Sequence, residues 1–107
     1  MGIFDFLKAP DINRGVEECN ADPGAILLDV RTAQEYREGH IPGSRNIPLP
    51  QLEEEIAFEV PEEDTAVYVY CLSGARSRQA TALLRHMGYT NIHNIGGISA
   101  YCGNIER

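Results

Sequence analysis

Basic residues are scarce in this sequence: nine Lys and Arg stand against 16 Asp and Glu, for a formal net charge of -7. A surplus of that sign argues against a nucleic-acid partner, whose phosphates call for a basic patch. Long hydrophobic runs are missing as well. The longest, AILL at 25–28 and AVYVYCL at 66–72, fall far short of the ~20 residues that a membrane-spanning helix needs. The opening MGIFDFLKAP sets no basic segment before its apolar residues, so no export signal is expected, and Phe6 stands where a myristoylation signal wants Ser or Thr. Cysteine is limited to positions 19, 71 and 102. An odd number without an export signal implies free thiols in a reducing cytosol, and the expected location is cytoplasmic. With no CxxC pair and no Cys/His cluster, no metal site is expected either. Repeats and low-complexity linkers are also absent. What remains, 107 residues with 43% hydrophobic and 23% charged side chains, suits one domain over residues 1–107 built on one core.

The charge that is present is unevenly spread. Residues 1–64 hold 15 acidic and 5 basic side chains, whereas Thr65 to Ile105 carry three arginines and no acid. The seven acids of EEEIAFEVPEED read as a solvated face. Along the chain, short elements alternate between prolines and glycines. INRGVEEC puts Ile12, Val16 and Cys19 on one helical face, which makes Cys19 a core residue. AILLDV after DPG has the pattern of a strand buried on both faces of a parallel sheet. Thr32 and Glu35 stand in capping-box spacing at the start of a two-turn helix that stops at Gly39. The prolines of IPGSRNIPL confine it to a loop and a very short strand. TAVYVYC is the next strand; SRQATALLRHMG is a helix with Ala80, Leu83, Leu84 and Met87 on its apolar stripe and Gly88 as its stop; NIHNI is a final strand. Such alternation gives a parallel sheet with helices on both faces, which binds ligands at the carboxyl ends of its strands. Cys71 falls at one of those ends.

A structural cysteine behaves as an inert hydrophobe, whereas a reactive one needs some exposure and a positive field. The loop after Cys71 supplies the field. A helix N-terminus leaves backbone N–H groups unpaired and carries about half a positive charge, so it favours an anion such as a thiolate. An ordinary thiol is only about 3% ionised at pH 7; lowering its pKa by about two units makes it roughly three-quarters thiolate, for about 2.7 kcal/mol. Gly74 lets the chain turn tightly enough for successive amides to converge, and Arg76 adds a full charge. His40 in GHIPG reads as a loop-ordering residue, and Asp29 and Arg31 in DVR as paired scaffold groups, since an unpaired charge at a buried strand end is costly. Cys102, next to Tyr101, reads as a packed side chain.

Four ordered segments then carry a resemblance: LLDVRTAQEY, GHIPGSRNIP, YCLSGARS and GYTNIHNIGGISAY are similar to successive segments of the single-domain rhodaneses. The resemblance implies an α/β rhodanese-like fold with a central parallel five-stranded sheet and helices on both faces. It also implies sulfurtransferase chemistry through a persulfide on Cys71. By position, the amides of Leu72, Ser73, Gly74, Ala75, Arg76 and Ser77 form the substrate cradle and Arg76 meets a small anionic sulfur donor such as thiosulfate. The acceptor would be cyanide, a thiol or a protein, with no metal or organic cofactor. Tyr101 stands where the family commonly has tryptophan, which reads as a packing change. Two alternatives stay open. Cysteine phosphatases and some arsenate reductases use a related loop with one more residue between Cys and Arg, and rhodanese-like domains also serve as non-catalytic binding modules.

Overall fold

A computed structural model describes residues 10–107; the segment 1–9, read above for export and lipidation signals, lies outside the described residues. Four strands run parallel: β1 Ile26–Asp29, β2 Arg45–Asn46, β3 Val67–Cys71 and β4 Ile92–Gly97. They lie side by side in the order β2-β1-β3-β4. Each crossover between parallel neighbours needs a helix, and the helices sit where the periodicity put them: α1 Ile12–Ala21, α2 Ala33–Glu38 and α4 Ala75–His86. The acidic segment is itself a helix, α3 Leu52–Glu59, which buries Leu52 and Ile56 and turns Glu53, Glu54 and Glu55 to water.

The strand period of two divides the core. On β3, Val67, Val69 and Cys71 join Ala80 and Leu84 of α4 and Ile56 of α3 on one face. Tyr68 and Tyr70 point the other way, with Tyr70 packed beside Ile12, Val16 and Cys19 of α1. Cys71 therefore ends the central strand facing α4, the helix that begins after its own loop.

The fifth strand implied by the resemblance has no counterpart among the described residues. The sequence between Pro10 and Arg107 contains four strand patterns and all four form. The C-terminal tail adds only a single antiparallel bridge, in which His40 and Glu106 exchange backbone bonds at 2.9 and 2.8 Å. No described helix is long and apolar enough to cross a membrane.

The β3–β4 register slips by one residue. Val69 pairs with Asn94 but Tyr70 pairs with Gly96, and Cys71 with Gly97. This bulge at Ile95 delivers a glycine opposite the cysteine. A Cβ on Gly97 would lie 2.6 Å from the Cα of Ser73 and in collision with the Leu72 carbonyl, so only glycine lets the loop after β3 fold back against β4.

Candidate active site

The chain leaves β3 at Cys71, turns through Leu72 and Ser73, and enters α4 at Gly74, whose φ of 108° is the left-handed conformation that favours glycine. Gly74 is the helix N-cap and brings no side chain. The usual task of an N-cap side chain is to accept the amide of the third helical residue, here Ser77. The sulfur of Cys71 stands in for it. The Gly74 N–H donates to Cys71 Sγ at 3.0 Å, and the thiol in turn reaches the Ser77 hydroxyl at 3.6 Å. Burial opposes ionisation of this thiol, but the Ser77 hydroxyl and the amides of Ser77, Gly74 and Ser73 outweigh it and hold its pKa below the ordinary value. Cys71 is only 1% exposed. The sulfur lies under its loop instead of at the surface, because those inward-turned amides close over it.

The other loop residues divide by orientation. Leu72, Ser73 and Ala75 expose their side chains; Ser73, Gly74 and Ala75 border an open hollow of about 720 Å3. Ser77 is fully buried, and its hydroxyl donates to Asn94 Oδ1 at 2.7 Å in the neutral state. Arg76, expected on sequence grounds to face the substrate, instead makes a bidentate pair with Glu35 of α2, at 2.7 and 3.0 Å. The two-point match of guanidinium and carboxylate is reason enough for that choice. Glu35 still closes its capping box: its carboxylate accepts the Thr32 amide at 2.9 Å while Thr32 Oγ1 accepts the Glu35 amide at 3.1 Å. Chiefly because of Arg76, the Glu35 carboxyl is held down to about 2.

Asp29 and Arg31 pair as expected. Arg31 Nη2 donates to Asp29 Oδ2 and to the Gly39 carbonyl, both at 2.7 Å, with both side chains buried. The bridge fixes the start of the α2–β2 connection beneath the loop. His40 orders that same connection: it stacks on Tyr36 at 3.7 Å, with Nδ1 at 2.7 Å from the Tyr36 carbonyl. Cys19 is buried in the α1 core, and Cys102 is exposed, its N–H donating to Asn13 Oδ1 at 2.8 Å; Cys102 is thus less packed than its neighbour Tyr101 suggested. No group of three or more His, Cys, Asp or Glu among the described residues is placed to hold a metal ion.

Compared with known proteins, residues 10–104 match the family model for the rhodanese-like domain. This chain belongs to that family. Over 71 residues it is 44% identical to the thiosulfate sulfurtransferase PspE of Escherichia coli, covering 66% of this chain and 68% of that protein. It is 33% identical over 101 residues to a tRNA uridine(34) hydroxylase of Erwinia tasmaniensis, covering 90% of this chain but only 28% of the relative, so it spans little more than a quarter of that protein. Among solved structures, an E. coli rhodanese with anions superposes with a TM-score of 0.73 at 37% identity, covering 78% of this chain and 98% of the other. The rhodanese-like fold of this chain is thus an α/β parallel sheet flanked by helices, with four described strands.

Two residues of this rhodanese-like site were not singled out from the sequence. Asn94 receives the Ser77 hydroxyl and also the Gly96 amide, at 3.1 Å, which the bulge frees from the ladder. An asparagine inside a strand and two residues ahead of a Gly-Gly pair is a poor strand former, and that was the available signal. Glu35 was read as a cap, which it is; its second partner, 41 residues away, left no local mark.

Proposed function

We propose that this protein is a sulfurtransferase in which Cys71 takes the outer sulfur of a small anionic donor such as thiosulfate and passes it to a thiophilic acceptor. The observation that carries the reading is the sulfur of Cys71 filling the empty N-cap of α4, with the Gly74 N–H on it at 3.0 Å. Donors fixed in place before reaction stabilise an anion without reorganising. The Cys71 thiolate attacks the outer sulfur, a new S–S bond forms, and the old one breaks as its electron pair leaves with sulfite. The cysteine persulfide that remains is again an anion, one atom longer, and the amides of Ser73, Gly74 and Ser77 are positioned for it. A nucleophile such as cyanide or a thiolate then attacks the terminal sulfur, and Cys71 leaves as the thiolate it began as. The chain's own residues suffice for each step.

The thiosulfate sulfurtransferase activity of PspE and the anions held by the E. coli rhodanese support this reading. Loop size supports it against phosphoryl transfer, since only Leu72, Ser73, Gly74 and Ala75 separate Cys71 from Arg76. Chemistry by a free thiolate suits a reducing, cytoplasmic setting. Intact mass after incubation with thiosulfate tests the proposal. A gain of one sulfur atom, reversed by a thiol and absent in Cys71→Ser, is the expected result; no gain, together with turnover of an aryl phosphate, would overturn it.

A further inference from the structure

The three arginines of α4 lie in the stretch without acids, and their partners differ. Arg76 is bound to Glu35, and Arg85 Nη2 donates to the Ile92 carbonyl at 2.8 Å. Arg78 is exposed and has no side-chain hydrogen bond or ion pair among the described residues. Helical geometry explains the split. At about 100° per residue, positions 76 and 78 project about 200° apart, so once Arg76 is turned toward α2, Arg78 must project on the opposite side, over β4. There it lines the 720 Å3 hollow together with Ser73, Gly74 and Ala75 of the loop. It also lines an adjoining groove of about 430 Å3 with Thr81, Arg85 and His93. Asp11 and Glu18 border a third hollow, which shares His93 and Asn94 with that groove.

Resting on the sulfurtransferase reading, we infer that Arg78, and not Arg76, is the residue that selects an anionic sulfur donor. Its guanidinium has no side-chain partner among the described residues and lines the hollow that Ser73, Gly74 and Ala75 of the loop border, and a guanidinium offers paired N–H groups to a sulfonate-like oxyanion in the way it does to a carboxylate. The donor's charged end rests on Arg78 while its outer sulfur goes inward to Cys71. Arg76 and Glu35 form a nearly neutral strut that holds α2 against the N-terminus of α4, and the guanidinium of such a pair has little net attraction for a second anion.

The test compares thiosulfate with an alkyl persulfide that carries no sulfonate group, from which the outer sulfur goes to Cys71 as the alkyl thiolate leaves, in the parent and in Arg78→Gln, Arg78→Lys and Arg76→Gln, by initial rates and by intact mass of the Cys71 persulfide. Arg78→Gln should raise KM for thiosulfate and lower the ratio of kcat/KM for thiosulfate to that for the alkyl persulfide roughly tenfold, as loss of one charge-assisted contact implies. Arg78→Lys should restore part of that ratio. Salt should weaken thiosulfate use in the parent more than in Arg78→Gln, because an exposed charge is screened over roughly 10 Å at 0.1 M. Arg76→Gln should leave the ratio near that of the parent while lowering Tm. If the ratio and the salt slope of Arg78→Gln match the parent, or if Arg76→Gln is the variant that loses them, Arg78 is not the selector. A parent that accepts sulfur from neither donor refutes the sulfurtransferase reading and this inference with it; a parent that accepts thiosulfate sulfur with Arg78→Gln indistinguishable overturns this inference alone.

Discussion

Cys19 and Cys71 are both hidden from water, at 5% and 1% exposure, yet burial has opposite outcomes at the two sites. Cys19 sits within α1, where its backbone groups serve the helix and its side chain joins the buried apolar cluster of Leu27, Ile41 and Tyr70. No donor faces it. Burial, with help from the Asp22 charge, pushes its thiol up to about 11. Burial opposes ionisation of Cys71 as well, but this residue ends a strand, where amides that no longer belong to the sheet and do not yet belong to the helix turn onto the sulfur. The difference shows that exposure does not separate a reactive thiol from an inert one in this fold. The supply of unclaimed N–H groups does.

The largest test of that contrast removes each sulfur in turn. Cys71→Ser should abolish persulfide formation from thiosulfate, whereas Cys19→Ser and Cys102→Ser should keep most of it, read by intact mass. A Cys102 variant that still takes up sulfur but no longer turns over would make the exposed thiol a resolving group. Next in size is alkylation as a function of pH. With a pKa about two units above the ordinary 9.0, Cys19 should hold roughly 100-fold less thiolate than a free thiol at neutral pH, while Cys71 should alkylate with an apparent pKa below the ordinary value. Equal pH profiles at the two sites would remove the contrast.

A smaller effect is expected at Ser77. In the thiolate state its hydroxyl can turn from Asn94 to the sulfur, since Asn94 Oδ1 keeps the Gly96 amide. Ser77→Ala should therefore raise the apparent pKa of Cys71, since one hydrogen bond to the charged form is lost; an unmoved profile would leave the work to the amides alone. The smallest effect concerns the strut. Glu35→Gln should lower stability at pH 7 by about 1 kcal/mol, a modest figure because the pair is partly open to solvent, at 33% and 28% exposure. The folded carboxyl lies at about 2, below its ordinary 4.5, so the contribution is fully present above about pH 4.5 and is lost as pH falls toward 2. Denaturant melts of parent and variant should converge across that acid window; a gap that stays constant would mean that the carboxylate charge is not what stabilises.

Much of this layout was legible in the sequence because it is encoded locally. The stripe of α1, the Thr32 and Glu35 cap, the double burial of β1 and β3 and the helix stop at Gly88 follow from periods of 3.6 and 2 and from residues that read only their immediate neighbours. The same local logic set Cys71 at a strand end ahead of a glycine. The acidic segment escaped as a helix because only Leu52 and Ile56 mark its buried face, too few for a periodic signal. The fifth strand came from the resemblance and from no strand pattern of its own.

By itself, then, the sequence determined the order of strands and helices and the place of the thiol at their junction, since both depend on spacing along the chain. Tertiary structure alone decided the β2-β1-β3-β4 order, the slip that sets Gly97 against Cys71, and the depth of the sulfur under its loop. It also decided that Arg76 goes to Glu35 and Arg78 to the open hollow. The physical reason is that a long charged side chain takes whichever partner the packing of separate elements brings within reach, and α2 and α4 meet only when the sheet strands that carry them have paired.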